Sequence, residues 1–295
     1  MTENTITAKD GRDSNLPHNL EIRLKAVYAS LKSAERKAAD FLVRDPEATG
    51  RMTITELSAA AGCSEATISR FVKKLGSESF AQFKEELSSD IPRKAVDVFD
   101  SYGSDDTPSE ILEKTFHISI MALHDTLDSI DINEFNEAAQ ALKSAQKIAA
   151  FGAGDAAAAA SIVYSKFLRI GREVYMASDT DGMNIICSQM KPCDVIICIS
   201  HSGATKNVVG IAKQAKKRGI KVIAITNYPL SKLAKNADFV LFTASFTEGI
   251  NGEIISKRLP EMCIVESLFL VLLLSDAKYR DALLEANESV LCNKF

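Results

Sequence analysis

The sequence predicts two units of different class: an all-α N-terminal unit, then an α/β domain built on a doubly wound parallel sheet of five strands. Three observations predict this. Apolar residues recur at helical spacing from Leu20 onward through the first ninety residues. Beyond residue 147, short runs rich in β-branched residues alternate with segments of helical period. One of those runs, Val195 to Ile199, is continuously apolar, as a strand covered on both faces must be, and it breaks abruptly into Ser200-His201-Ser202-Gly203-Ala204-Thr205. A length of 295 residues also favours two domains over one.

Residues 1–18 are polar and aperiodic and are expected to form a disordered tail. The helical unit is placed at residues 19–92. Its first helix carries Ile22, Leu24, Val27 and Leu31. Its second, from Ser33 to Val43, turns Ala34, Ala38, Phe41 and Leu42 inward and stops at Asp45-Pro46. Thr53 and Glu56 have capping-box spacing, so a helix starts at Ile54. Ala61-Gly62-Cys63 supplies a tight turn, and Ser64 caps a further helix that reaches Leu75 before Gly76 closes it. Two short helices about a glycine turn, with Leu57, Ala61, Ile68 and Phe71 packed inside, make a helix-turn-helix.

In such a motif the second helix enters the major groove, and the outward residues at its start meet base edges. Here the candidates are Ser64, Glu65, Ala66, Thr67, Ser69 and Arg70, with Lys73 and Lys74 placed for phosphates. A plain helical hairpin with a solvated basic face is the alternative. Residues 1–90 hold 13 Lys and Arg against 14 Asp and Glu, so no positive field covers the whole unit. Ser79 and Gln82 begin one more helix with Phe80, Phe83 and Leu87. Ile91-Pro92 closes the unit, and residues 93–110 have linker composition.

From Ile111 to the C-terminus the reading is two helices and then strands at Ile148–Phe151, Glu173–Ala177, Val195–Ile199, Val222–Thr226 and Phe239–Thr243. Helices separate them, and a long apolar helix from Leu259 to Ala277 follows. Ligands of open parallel sheets sit at the strand carboxyl ends, where strand order reverses. Two turns compete for that place. Gly152-Ala153-Gly154-Asp155-Ala156-Ala157 matches the weak dinucleotide fingerprint, with Asp179 as a candidate ribose partner. Ser200 to Thr205 offers three hydroxyls and a glycine at a strand-to-helix turn, where backbone N–H groups converge on an anion. The hydroxyl-rich turn favours a small phosphorylated ligand over NAD, and no cofactor is expected. The candidate ligand residues are Gly152, Gly154, Ser200, Ser202, Gly203 and Thr205.

The formal net charge is −4, with 46% hydrophobic and 25% charged residues, which describes a soluble globular chain. The six cysteines show neither CxxC spacing nor a histidine cluster, so no metal site is expected and a reducing, cytoplasmic setting is. The N-terminal residues hold no signal-peptide core, and the apolar run from Cys263 to Leu274 is too short to span a bilayer.

With both halves read, the chain resembles the ribose phosphate isomerase repressor (RpiR) family of bacterial transcription regulators, in which a helix-turn-helix domain precedes a sugar isomerase (SIS) domain. In the first half the resemblance rests on Ser33 to Lys37, Thr55-Glu56-Leu57, Gly62 to Thr67 with Arg70-Phe71, Lys74-Leu75-Gly76 and Phe80 to Lys84. In the second it rests on Gly152-Ala153-Gly154, Lys166 to Gly171, Ser200 to Thr205 and Ala224-Ile225-Thr226. It implies a carbohydrate-operon regulator, a repressor in the first place and an activator as the alternative, that binds palindromic operator DNA as a homodimer or homotetramer and senses a sugar phosphate. It places the phosphate on Ser200, Ser202 and Thr205, with Gly152 and Gly154 as the opposite wall. One departure is Ala156, where the family has a serine, beside the extra charge of Asp155. The alternative is a sugar-phosphate isomerase or lyase, which needs a general base. His201 is the one histidine in the site, Glu248, Glu253 and Glu261 fall near strand-end loops, and none is placed as that base, so no catalytic residue is assigned.

Overall fold

The structure is a computed structural model that describes residues 16–88, 102–103, 105–245 and 257–291. Most of the expected tail and linker, together with Glu248 and Glu253, lies outside the described residues. Internal contacts divide the chain into two compact units, Met1–Val96 and Asp97–Phe295.

The first unit is helical, with α1 His18–Tyr28, α2 Ser33–Arg44, α3 Pro46–Arg51, α4 Ile54–Ala61, α5 Glu65–Lys74 and α6 Phe80–Ser88. Leu16 is buried and α1 begins at His18, so ordered chain starts earlier than the expected end of the tail at residue 18. Leu20, Leu42, Leu57, Ile68, Phe71, Leu75 and Phe83 form the fully buried centre. Burying each such side chain stabilises the unit by about 1.5–3 kcal/mol before chain entropy is counted. Helix α2 departs from expectation: Ala34 is exposed and Glu35 is buried in its place. Helix α3 was not foreseen. Asp45 ends α2 and accepts a bond from Ala48 N at 2.9 Å, while Pro46 takes the first helical position, so one dipeptide stops one helix and starts another.

The second unit contains α7 Pro108–Ser129, α8 Ile132–Ser144, β1 Lys147–Gly152, α9 Ala156–Arg169, β2 Glu173–Ala177, α10 Thr180–Gln189, β3 Val195–Ile199, α11 Lys206–Lys217, β4 Lys221–Thr226, β5 Phe239–Phe242, α12 Leu259–Ser275 and α13 Ala277–Leu291. A capping box from Thr107 to Glu110 starts α7 inside the stretch 93–110 expected to be linker. Asp276 interrupts the long C-terminal helix, which divides into α12 and the unforeseen α13.

The sheet is wholly parallel in the order β2-β1-β3-β4-β5. Strand β3 explains its own sequence: Val195, Ile197 and Ile199 face the layer of α8, α9 and α12, while Ile196 and Cys198 face α10 and α11. Helix α12 is half covered. Ile264, Val265, Leu268, Phe269 and Leu272 are buried, but Leu270, Val271 and Leu274 are exposed. No described helix is long and apolar enough to cross a membrane.

Arg172 ties the C-terminal helices to the sheet layer. It is buried and donates to the carbonyls of Leu142 at 3.1 Å, Lys143 at 3.4 Å and Ala145, and to the Tyr279 hydroxyl at 2.8 Å. Those carbonyls end α8 and have no helical partner of their own. Arg172→Ala is expected to destabilise this unit by about 3 kcal/mol, read as a lowered melting temperature.

Candidate functional site

Strand order decides where a ligand fits. From β1 the chain passes to β2 on one side and then returns to β3 on the other, so the order reverses between β1 and β3. The two turns expected to compete instead face the same crevice, one following each of these adjacent strands.

Each turn is shaped by glycine at a point where no side chain fits. A Cβ on Gly152 would stand 2.4 Å from the Ala156 carbonyl oxygen, so its absence lets α9 start hard against β1. Gly203 has φ of +57°, and a Cβ there would meet Ser231 Oγ at 2.2 Å and Thr226 Oγ1 at 2.8 Å. The Gly203 carbonyl also accepts from Leu233 N at 2.9 Å, which fastens the turn to the loop after β4. Gly152 and Gly203 are both buried and shape the two turns from within. Gly154, at φ of +59°, is exposed.

The hydroxyls are arranged at two depths. Ser200 is buried and its Oγ pairs with Thr205 Oγ1 at 2.9 Å, whereas Ser202 is exposed and accepts from Ala204 N at 3.3 Å. Thr205 occupies the N-cap of α11 without capping it, because its hydroxyl is turned to Ser200. The first turn of α11 thus has no cap from Thr205, and only Val208 N finds a side chain, Asn207 Oδ1 at 3.0 Å, beside exposed Lys206. A groove lined by Thr180, Asn184, Lys206, Asn207 and Gln214 continues between α10 and α11. On the other wall Asp155 is exposed and Ala156 buried, and α9 also lacks a side-chain cap. Asp179, the candidate ribose partner, caps α10 by accepting from Gly182 N at 2.8 Å.

The start of α12 brings charge that the motif reading did not find. Arg258 holds Glu261 at 2.6 and 2.8 Å, and both are buried. Burial raises the Glu261 carboxyl to about 7, against the pull of Arg258. Burial, with the charges of Arg258 and Lys257, lowers the His201 imidazole to about 4. The His201 ring meets Tyr228 edge-on at 6.0 Å. Nothing in local sequence joins residue 201 to residues 257–261, since their proximity is a product of the sheet.

The helix-turn-helix forms as its signals require. Thr53 and Glu56 make the capping box, Gly62 is left-handed at φ of +64°, and Ser64 accepts from Thr67 N at 3.2 Å. Glu65, Ala66, Arg70 and Lys73 are exposed, and Ser69 is half-buried. Two candidates have other duties. Thr67 is buried, its hydroxyl 2.9 Å from Ser64 Oγ and accepting from Arg70 Nη2 at 3.2 Å, so it positions neighbours. Lys74 donates to buried Glu35 at 2.7 Å and joins α5 to α2. Burial alone would raise the Glu35 carboxyl, but the bonds from Lys74 and the Lys32 backbone outweigh it and leave it below its ordinary range. Thr55, unforeseen, donates to Glu65 Oε1 at 2.6 Å and fixes that carboxylate at the helix start.

The molecule is thus a helix-turn-helix protein joined to a parallel α/β domain whose two glycine turns share one crevice. Comparison with known proteins narrows the class. The model for the helix-turn-helix domain of the rpiR family matches residues 18–94, and the SIS domain model matches residues 141–271. An uncharacterised HTH-type transcriptional regulator of Thermotoga maritima is 34% identical over 258 residues, covering 87% of this chain and 92% of its own. The regulator HexR of Escherichia coli is 28% identical over 279 residues, covering 94% and 96%. The solved structure of Vibrio vulnificus NanR complexed with ManNAc-6P superposes with a TM-score of 0.61 at 25% identity, covering 94% of this chain and all of that one. The chain belongs to the RpiR family of HTH-type transcriptional regulators.

The depressed His201 makes a pH test available. Its folded pKa lies below the unfolded value near 6.5, so stability from the neutral ring is fully present above pH 6.5 and is lost as pH falls through about 4. Melting across this window is expected to show a loss of at most about 3 kcal/mol in the wild type that His201→Gln abolishes.

Proposed function

We propose that this regulator is a repressor of carbohydrate genes that binds operator DNA as a homo-oligomer in the cytoplasm and is controlled by a phosphorylated sugar. The observation that carries the effector reading is the uncapped start of α11 beside Ser200, Ser202 and Thr205, facing Gly154 across the β1–β3 crevice. The phosphate takes the N–H groups of that turn and the hydroxyls of Ser200, Ser202 and Thr205, and Lys206 adds charge. NanR, crystallised with ManNAc-6P, supports the ligand class. The reading extends to a DNA-binding domain that begins with α1 at His18 and an effector domain that begins with α7 at Pro108, rather than at residues 19 and 111.

For DNA, the exposed face of α5 supports contact through Ser64, Glu65, Ser69 and Arg70, with Lys73 on phosphate and Thr67 and Lys74 holding that face in place. Self-association is supported by the apolar strip left open on α7 and α12, where Leu112, Phe116, Leu127 and Leu274 are each more than half exposed. An effector acts through such an oligomer only if it binds two arrangements with different affinity.

The regulator reading is preferred over an isomerase or lyase. Glu261 is held by Arg258, and the burial that keeps His201 uncharged also makes it a poor proton acceptor near neutral pH. Turnover of a sugar phosphate by the purified protein would contradict this reading.

Arg70→Ala is expected to weaken binding to DNA selected by the full chain by about 1–3 kcal/mol, measured by fluorescence anisotropy. In the same assay Ser200→Ala with Ser202→Ala is expected to bind DNA normally and to lose its response to sugar phosphates. A response unchanged in that double variant would remove the turn from the effector site.

A further inference from the structure

A second feature stands at the same edge of the sheet. Among the described residues, six buried side-chain polar atoms have no hydrogen-bond partner, and four of these belong to one neighbourhood: His201 Nδ1, Asn227 Nδ2, Ser245 Oγ and Arg258 Nε. All four residues follow a strand carboxyl end or begin α12. Asn227 is fully buried, and Ser245 and Arg258 are 5% and 9% exposed.

The groups are held firmly on their other sides. Asn227 N donates to the His201 carbonyl at 3.0 Å, and Asn227 Oδ1 accepts from Ser245 N at 2.7 Å and from Thr243 Oγ1 at 3.2 Å. Arg258 uses another edge of its guanidinium for Glu261. The Arg258 and Lys257 charges act on the His201 ring, which places the start of α12 against the same nook. A buried polar group without a partner costs its desolvation energy, and native folds keep few of them. Four such atoms in one neighbourhood call for a polar partner.

We propose that these four atoms form a subsite for a carboxylate, which makes the effector a phosphorylated sugar acid. The inference rests on the phosphate reading of the Ser200–Thr205 turn, to which His201 belongs. Asn227 Nδ2 and Arg258 Nε can only donate, and the Ser245 hydroxyl and one tautomer of a neutral imidazole donate as well. A ligand hydroxyl has too few acceptor positions for four donors. A carboxylate offers about four lone-pair sites on two oxygens.

The test is calorimetric titration of the full chain with two matched pairs that differ at C1: 6-phosphogluconate against glucose 6-phosphate, and erythronate 4-phosphate against erythrose 4-phosphate. The acid of at least one pair is expected to bind at least about tenfold tighter. Ser245→Ala removes an unpaired hydroxyl and spares the backbone bond to Asn227. It is expected to reduce that preference severalfold, leave the affinity for the aldose phosphate unchanged, and leave the ligand-free melting temperature equal or higher, whereas a merely structural hydroxyl would lower it. Asn227→Asp keeps the acceptor, replaces the donor and is expected to lose the preference as well. Equal affinities within both pairs would overturn the proposal and assign the nook to water, as would a preference that survives both variants. Binding without acid preference that Ser200→Ala abolishes would overturn the carboxylate subsite alone, and no binding by any of the four compounds would overturn the phosphate reading with it.

Discussion

The α/β half depends on a backbone approach that tolerates no side chain. Gly203 lies where a single methyl group would strike Ser231 and Thr226, and its left-handed conformation sends the chain from β3 into α11 within a few residues. That turn sets Ser200 and Thr205 against each other and leaves the first N–H groups of α11 without a side-chain cap. Gly152 does the corresponding work after β1. The reversal of strand order then puts both turns on one crevice, so the site follows from topology and two missing Cβ atoms before any ligand chemistry enters.

The same logic separates what the sequence disclosed from what it hid. Strands β2 and β3 were legible to the residue because their apolar runs end sharply at polar or glycine residues. Caps at Thr53, Ser64 and Gly62 were legible because their bonds span three or four residues. What escaped was long-range. Lys74 looked like a phosphate contact until the fold brought Glu35 beneath it, thirty-nine residues away. Thr67 looked outward on a helical wheel, but α5 is packed deeply enough to bury it. Arg258 and Glu261 had no motif at all, and their importance comes from standing near His201. Helix α13 was missed because Asp276 breaks an otherwise uninterrupted helical pattern.

In the DNA-binding half, electrostatics is local. The unit has no excess of positive charge, and one of its two helix-terminal lysines is engaged by an internal carboxylate. Non-specific attraction is therefore weak, and the proposed reading rests specificity on a few residues of α5 held in position by Ser64, Thr67 and Thr55. Such a reader gains from presenting two copies to a repeated site, which agrees with the open apolar strip on α7 and α12.

The central claim is that the β3–α11 turn receives a phosphate, and amide NMR on the full chain tests it most directly. On addition of glucose 6-phosphate, the account predicts downfield shifts of the amide protons of Thr205, Lys206 and Asn207, as these donors gain an anionic acceptor, with smaller changes at Gly154 across the crevice. Saturable shifts elsewhere in the chain with these amides unmoved would contradict it.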